Sequence, residues 1–237
     1  MMNLISQVRL PGKIATLKGG LIVSCQALAD EPLHGGLFMC RMAQAAQRGG
    51  AAGIRANSVV DITAIKQEVD LPVIGLIKQN YLDSEIYITP TLPEVDALVA
   101  VGTDIIATDF TQRPRPGGRS LAQFIKAVRA KYPQQLIMAD ISTFEEGLVA
   151  AELKADLIST TLSGYTSYSP KSEGPDLELV RQLSQATKVP VIAEGRIHYP
   201  EQARAALEYG AYAVVVGGAI TRPMEITERF VQGMKTG

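Results

Sequence analysis

Concentrated positive charge is missing from this sequence. Its 23 Lys and Arg almost balance 24 Asp and Glu, formal net charge is −1, and no Lys/Arg run exceeds two residues. Neutralising many phosphates needs a concentrated basic face, so nucleic acid and anionic membranes are not expected partners, although one local anion site is still allowed. Cysteine is scarce too. Cys25 and Cys40 form no CxxC and have no histidine cluster beside them, which predicts reduced core thiols and argues against a redox or metal centre. No apolar stretch reaches membrane-spanning length, and MMNLISQVRLPGK lacks the apolar core of a secretory signal; a cytoplasmic protein is expected. Linkers and low-complexity tracts are also absent. One domain over residues 1–237 is expected, with residues 1–20 an N-terminal segment of no assigned role.

What the chain does contain is a two-beat rhythm. Short Val-, Ile- and Ala-rich runs at 21–26, 52–57, 72–78, 104–110, 136–142, 156–160, 190–195 and 213–218 alternate with segments of helical period, several ending in glycine. Continuous apolarity predicts strands buried on both faces, as in a parallel sheet. Eight strand–helix repeats in 237 residues favour a single (βα)₈ TIM barrel over a doubly wound open sheet. Two connections look enlarged. QNYLDSEIYITPT after the third strand predicts a small extra strand, and TLSGYTSYSPKSEGP after the sixth is a long loop.

Barrel active sites lie where strands end. Those positions carry Gln26, Arg55, Lys78, Asp109, Asp140, Thr160, Thr161, Glu194 and the pair Gly217–Gly218. Charges placed there must pair with one another or with a ligand. Gln26, Lys78, Asp140 and Glu194 come from odd-numbered strands and so could share one inward layer, either as an acid–base centre or as a structural ion-pair plug. For Lys78 to act as a base, its affinity for a proton must fall: desolvation and Arg55 would lower it, and Asp140 would oppose them. The eighth strand ends in GGAITRP and the seventh in EGR. Loops at these two strands commonly hold phosphate, with bare backbone amides at Gly195, Gly217 and Gly218 and a forked contact from Arg222; the bland alternative is a tight turn. His34 and His198 are expected to serve capping or surface roles. Tyr165 and Tyr168 either close over a ligand or pack their own loop.

IVSCQALADEPLHG, GGAAGIRANS, LPVIGLIK, IMADIST, ISTTLSGYTSYS, VIAEGRI and VVGGAITRPMEITERF together resemble the N-acetylmannosamine-6-phosphate 2-epimerases, from about Leu21 to about Val231. CQALADEPLHG, GIRAN and TTLSGYTSY carry most of the specificity. The resemblance implies Lys78 and Glu194 as catalytic residues, Gln26, Arg55 and Asp140 as sugar-holding and lysine-tuning residues, and Gly195, Gly217, Gly218 and Arg222 as the phosphate site. It also implies an amino-sugar phosphate as the partner molecule, a homodimer, and a place in amino-sugar and sialic acid breakdown, without metal or redox cofactor. The reaction implied is inversion at C2, beside the C1 aldehyde of the opened ring, by proton removal and return. Whether one base serves both faces, and what share Glu194 takes, stay open. A Schiff-base aldolase and a silent sugar-phosphate-binding barrel are the competing readings.

Overall fold

The computed structural model describes residues 11–235. Eight parallel strands close in sequence order into a barrel: β1 (Leu21–Cys25), β2 (Gly53–Asn57), β3 (Val73–Leu76), β4 (Ile105–Asp109), β5 (Leu136–Asp140), β6 (Leu157–Ser159), β7 (Val191–Glu194) and β8 (Ala213–Val216). Each lies within its expected run. The helices are α1 (Gly12–Ala15), α2 (Gly36–Arg48), α3 (Val59–Glu68), α4 (Leu92–Ala100), α5 (Leu121–Lys131), α6 (Phe144–Glu152), α7 (Leu177–Ala186), α8 (Pro200–Glu208) and α9 (Pro223–Gly233).

Local sequence starts the helices where strands release the chain. Thr91 with Glu94, Ser120 with Gln123 and Thr143 with Glu146 form capping boxes on α4, α5 and α6, each satisfying backbone donors that the first helical turn leaves unpaired. The strand register then sets which side chains point inward. Ser24 pairs with Arg55, Arg55 with Ile74, Asp109 with Asp140, and Asp140 with Ser159. Partners in register share a face, so Ser24, Arg55, Asp109, Asp140 and Ser159 all enter the barrel.

Two features differ from expectation. Residues 1–10 lie outside the described residues, but residues 11–20 have a clear place: Ile14 and Leu17 are fully buried and join Ile22, Ile74, Ile105 and Ala213 in the interior cluster. The segment therefore closes the N-terminal end of the barrel. The extra strand after β3 does not form; there are only isolated bridges, Lys78 to Ile88 and Tyr81 to Ser84. Thr89 turns to φ 45° and Pro90 follows it, so the ladder stops.

The last helix is unlike the rest. α9 buries none of its residues, and Phe230 and Met234 are 71% and 84% exposed. Among the described residues, no helix is long and apolar enough to cross a membrane.

Candidate active site

A cavity of about 340 Å³ opens at the C-terminal end of the barrel, within the range of small-molecule sites. Four cations, Arg55, Lys78, Arg196 and Arg222, face it against two carboxylates, Glu194 and Glu225. That balance suits a ligand carrying negative charge.

At its floor sits Arg55, 1% exposed. Its Nη1 and Nη2 donate to Asp140 Oδ1 and Oδ2 at 3.0 and 2.6 Å, a two-pronged match of guanidinium to carboxylate. Nη1 also lies 3.1 Å from Glu194 Oε2. Burial works against the charge on Arg55, but Asp140 and then Glu194 outweigh it and hold the guanidinium protonated. Thr161 Oγ1 lies 2.8 Å from Asp140 Oδ1 and 2.9 Å from Glu194 Oε2, and Ser159 Oγ donates to the same Glu194 oxygen at 3.2 Å. All these contacts fall on Oε2, so Glu194 Oε1 is the oxygen free of them. Burial raises the Glu194 pKa, Asp140 adds to the rise, and Arg55 with the two hydroxyls oppose it. The outcome is a carboxyl that keeps its proton to higher pH than an ordinary glutamate.

Lys78 comes from the opposite wall. Its backbone amide donates to Asn57 Oδ1 at 2.9 Å, which fixes the end of β3. Burial, then Arg222 and Arg55, lowers its pKa to about 8, against the smaller pull of Glu194 and Glu31. Desolvation therefore dominates. The sequence-level expectation that Asp140 would oppose the shift is corrected: Asp140 is fully buried and spent on Arg55.

The supposed four-residue layer is corrected in the same way. Arg55, from β2, is the cation between the two carboxylates, because its fork matches Asp140 where a single ammonium would not. Asp140 lies beneath the cavity and does not face it. Gln26 does face it; Nε2 donates to Ser24 Oγ at 2.9 Å, and Oε1 is buried without a partner among the described residues. An unpartnered buried acceptor is costly unless a ligand supplies a donor.

Gly195, Gly217, Gly218 and Arg222 come together on the β7–β8 side. The turn after β8 is tied by Ile220 and Thr221 amides donating to the Gly217 carbonyl, which leaves those of Gly218 and Ala219 unused by the turn. Thr221 Oγ1 donates to the Ser24 carbonyl at 2.6 Å and anchors the turn to β1. Arg222 is held from both sides by Glu31 and Glu225, and Glu225 Oε2 lies over Gly218 so closely that a Cβ there would clash with it.

Other candidates sort themselves out. Asp109 is fully buried, bound to Arg113 Nη2 at 2.6 Å and to Thr111, and is structural. Thr160 Oγ1 bonds the backbone of Glu194. His34 lies 3.2 Å from the Ala27 carbonyl and does not face the cavity. His198, expected at the surface, does face it; burial first, then Arg229, lowers its pKa. Tyr168 donates to Glu146 Oε1 at 2.6 Å and packs its loop, whereas Tyr165 is 57% exposed at the cavity rim.

Sequence reasoning passed over Tyr87, Ser159, Glu31 and Glu225. Ser159 was findable, since it continues the alternation from Leu157 toward Thr161, which the sequence does single out. Glu31, Tyr87 and Glu225 lie on irregular segments or a helix start, where no period points at the barrel mouth.

The sequence model of the family described as "Putative N-acetylmannosamine-6-phosphate epimerase" matches residues 39–236. A "Putative N-acetylmannosamine-6-phosphate 2-epimerase" of Caldanaerobacter subterraneus subsp. tengcongensis is 59% identical over 222 residues, 94% of each chain. One of the same name from Clostridium perfringens is 55% identical over 92% of this chain and 98% of its own. The solved structure of the N-acetylmannosamine-6-phosphate 2-epimerase from Clostridium perfringens superposes with a TM-score of 0.90 at 53% identity, over 96% of this chain and 98% of that one. Thiamine phosphate pyrophosphorylase from Pyrococcus furiosus, at 19% identity and a TM-score of 0.60, shares the fold alone.

Proposed function

Since this chain belongs to the N-acetylmannosamine-6-phosphate epimerase family, we propose that it interconverts N-acetylmannosamine 6-phosphate and N-acetylglucosamine 6-phosphate by moving the proton at C2. The observation that carries the chemistry is the lowered proton affinity of Lys78. With a pKa of about 8, roughly a tenth of it is neutral at pH 7, against about one part in three thousand for an ordinary lysine. Lys78 Nζ takes the C2 proton of the ring-opened sugar. The charge that develops on the C1 oxygen falls to Arg55, already charged and excluded from bulk water, while the unpartnered Gln26 Oε1 accepts from a sugar hydroxyl or amide.

Glu194 stands on β7, across the eight-stranded ring from β3. A sugar lying between them presents one face of C2 to each group. This favours Lys78 on one face and the Glu194 carboxyl on the other, so that two groups share the transfer. Asp140 acts through Arg55, keeping it charged and aimed. Gly195, Gly217, Gly218 and Arg222 hold the phosphate and fix the reacting carbon from a distance. The lowered pKa of Lys78 would also serve a Schiff-base aldolase; borohydride in the presence of a carbonyl substrate would then trap added mass on Lys78.

Supporting observations extend to context. The exposed apolar residues Phe230 and Val231 of α9 and Met234 just after it suit a face covered in a homodimer. Two buried unpaired thiols, Cys25 and Cys40, suit the cytoplasm. A role in amino-sugar and sialic acid breakdown belongs to the same proposal.

Solvent deuterium is the direct test. In D₂O the wild-type protein should place deuterium at C2 of either sugar phosphate. Lys78→Ala should slow that exchange by about 10²–10⁴-fold, the usual worth of a positioned base. Exchange by the variant at the wild-type rate would end the assignment.

A further inference from the structure

Arg196 takes no part in the chemistry above, yet its position is tightly determined. It follows Gly195 at the end of β7 and holds φ at 53°, a left-handed conformation uncommon outside glycine. Three contacts fix its side chain. Nε donates to the Gly174 carbonyl at 2.9 Å, and Nη1 donates to the Ser163 carbonyl at 2.6 Å. The guanidinium carbon lies 5.2 Å from the centroid of the Tyr165 ring, within cation–π range.

Ser163 and Gly174 stand at the two ends of the long β6–α7 loop. One side chain therefore spans the base of the loop from the neighbouring strand. Gly164 makes the room, with φ at 79° and no side chain; a Cβ there would meet Arg196 Nη1 at 2.7 Å and Cζ at 3.1 Å. Tyr165, Gly195 and Arg196 all face the cavity, so the same contact joins the loop to the proposed phosphate side.

We propose that Arg196 is a positioning residue: it buckles the two ends of the β6–α7 loop together and holds Tyr165 at the cavity rim, where the loop seats the sugar. The inference rests on the epimerase reading for its substrate, but the buckle itself rests on geometry alone. Bonds from a cation to carbonyls are of the stronger kind. Joining the ends of a loop removes conformational freedom that each binding event would otherwise have to remove. Loss of the buckle therefore weakens substrate capture more than it slows proton transfer at Lys78, which Arg196 does not touch.

The test uses the full chain with N-acetylmannosamine 6-phosphate. Arg196→Gly removes all three contacts, and glycine accepts φ 53° without strain, so a folding failure from the backbone is avoided. KM should rise on the order of tenfold while kcat falls by less. Amide hydrogen exchange across residues 163–174 should quicken by at least roughly tenfold. Adding Tyr165→Ala to that variant should cost little beyond either change alone, because the two residues form one unit. Arg196→Lys, with a single ammonium, should recover part of the loss. An unchanged exchange rate in the loop overturns the proposal even if KM moves, since the guanidinium would then act on substrate directly. A quickened loop with wild-type KM overturns it as well. If the wild-type protein puts no solvent deuterium into C2, the epimerase reading fails, while loop exchange still reports on the buckle.

Discussion

At the N-terminal end of the barrel the inward positions are Ile22, Ile74, Ile105 and Ala213, sealed from below by Ile14 and Leu17. At the C-terminal end the inward positions carry Arg55, Lys78, Asp140 and Glu194 instead. Each isoleucine at the lower end contributes about 1.5–3 kcal/mol by leaving water. The upper end earns nothing comparable, because every charge there loses hydration and is compensated only by partners. Stability is concentrated at one end and reactivity at the other. The pattern explains why Lys78 can be starved of water without the barrel coming apart.

Changes at the upper end should separate the two properties. After Lys78→Ala, whose effect is on rate, the next largest is Asp140→Ala. It leaves Arg55 as a buried cation with one carboxylate fewer, and denaturant unfolding should show a loss on the order of 3–5 kcal/mol. Arg55→Met with Asp140→Leu removes both charges together. That pair should return most of the stability and none of the deuterium exchange. If it unfolded like the single variant, the two residues would not be acting as a pair.

Ile14→Ala breaks the lower end instead. It leaves a cavity under the barrel and should lower stability by about 2–5 kcal/mol, read from the urea midpoint. KM and kcat should hold, since no charged group at the mouth touches it. A large fall in kcat at full occupancy of the folded state would mean that the two ends are coupled.

Legibility in the sequence follows the same division. The strands are short, nearly continuous apolar runs, so every barrel strand and the polar residues at its end could be read from the chain. Pairing across the mouth could not. Arg55 and Lys78 are both cations at strand ends, and only the distances show that Arg55 takes Asp140 while Lys78 stands free of both carboxylates. The partners of Arg222, Glu31 and Glu225, depend on loop conformation, which no period encodes. The reach of residues 11–20 under the barrel was hidden for a related reason: Ile14 and Leu17 are just two apolar residues until the strands they cover are known.

The smallest effect is the most discriminating, because removing the proposed base should stabilise the fold. The folded-state pKa of Lys78 is about 8, below the ordinary 10.5. Below pH 8 the lysine is charged both in the folded and the unfolded chain, and the fold bears the full cost of holding that charge out of water. Between pH 8 and pH 10.5 the unfolded chain binds more protons than the folded one, so stability contributed at this site rises with pH. Above pH 10.5 both forms are neutral and the cost is gone. Lys78→Met, which keeps the length of the side chain and drops the charge, should therefore raise Tm at pH 6–7, and its advantage over wild type should shrink through pH 8 to 10.5. The same charge balance predicts that the rise of kcat/KM with pH in the wild-type protein bends near pH 8, where about half of the base is neutral. A Tm advantage that did not depend on pH would mean that Met simply packs better, and the burial of the Lys78 charge would lose its claim to be the source of its reactivity.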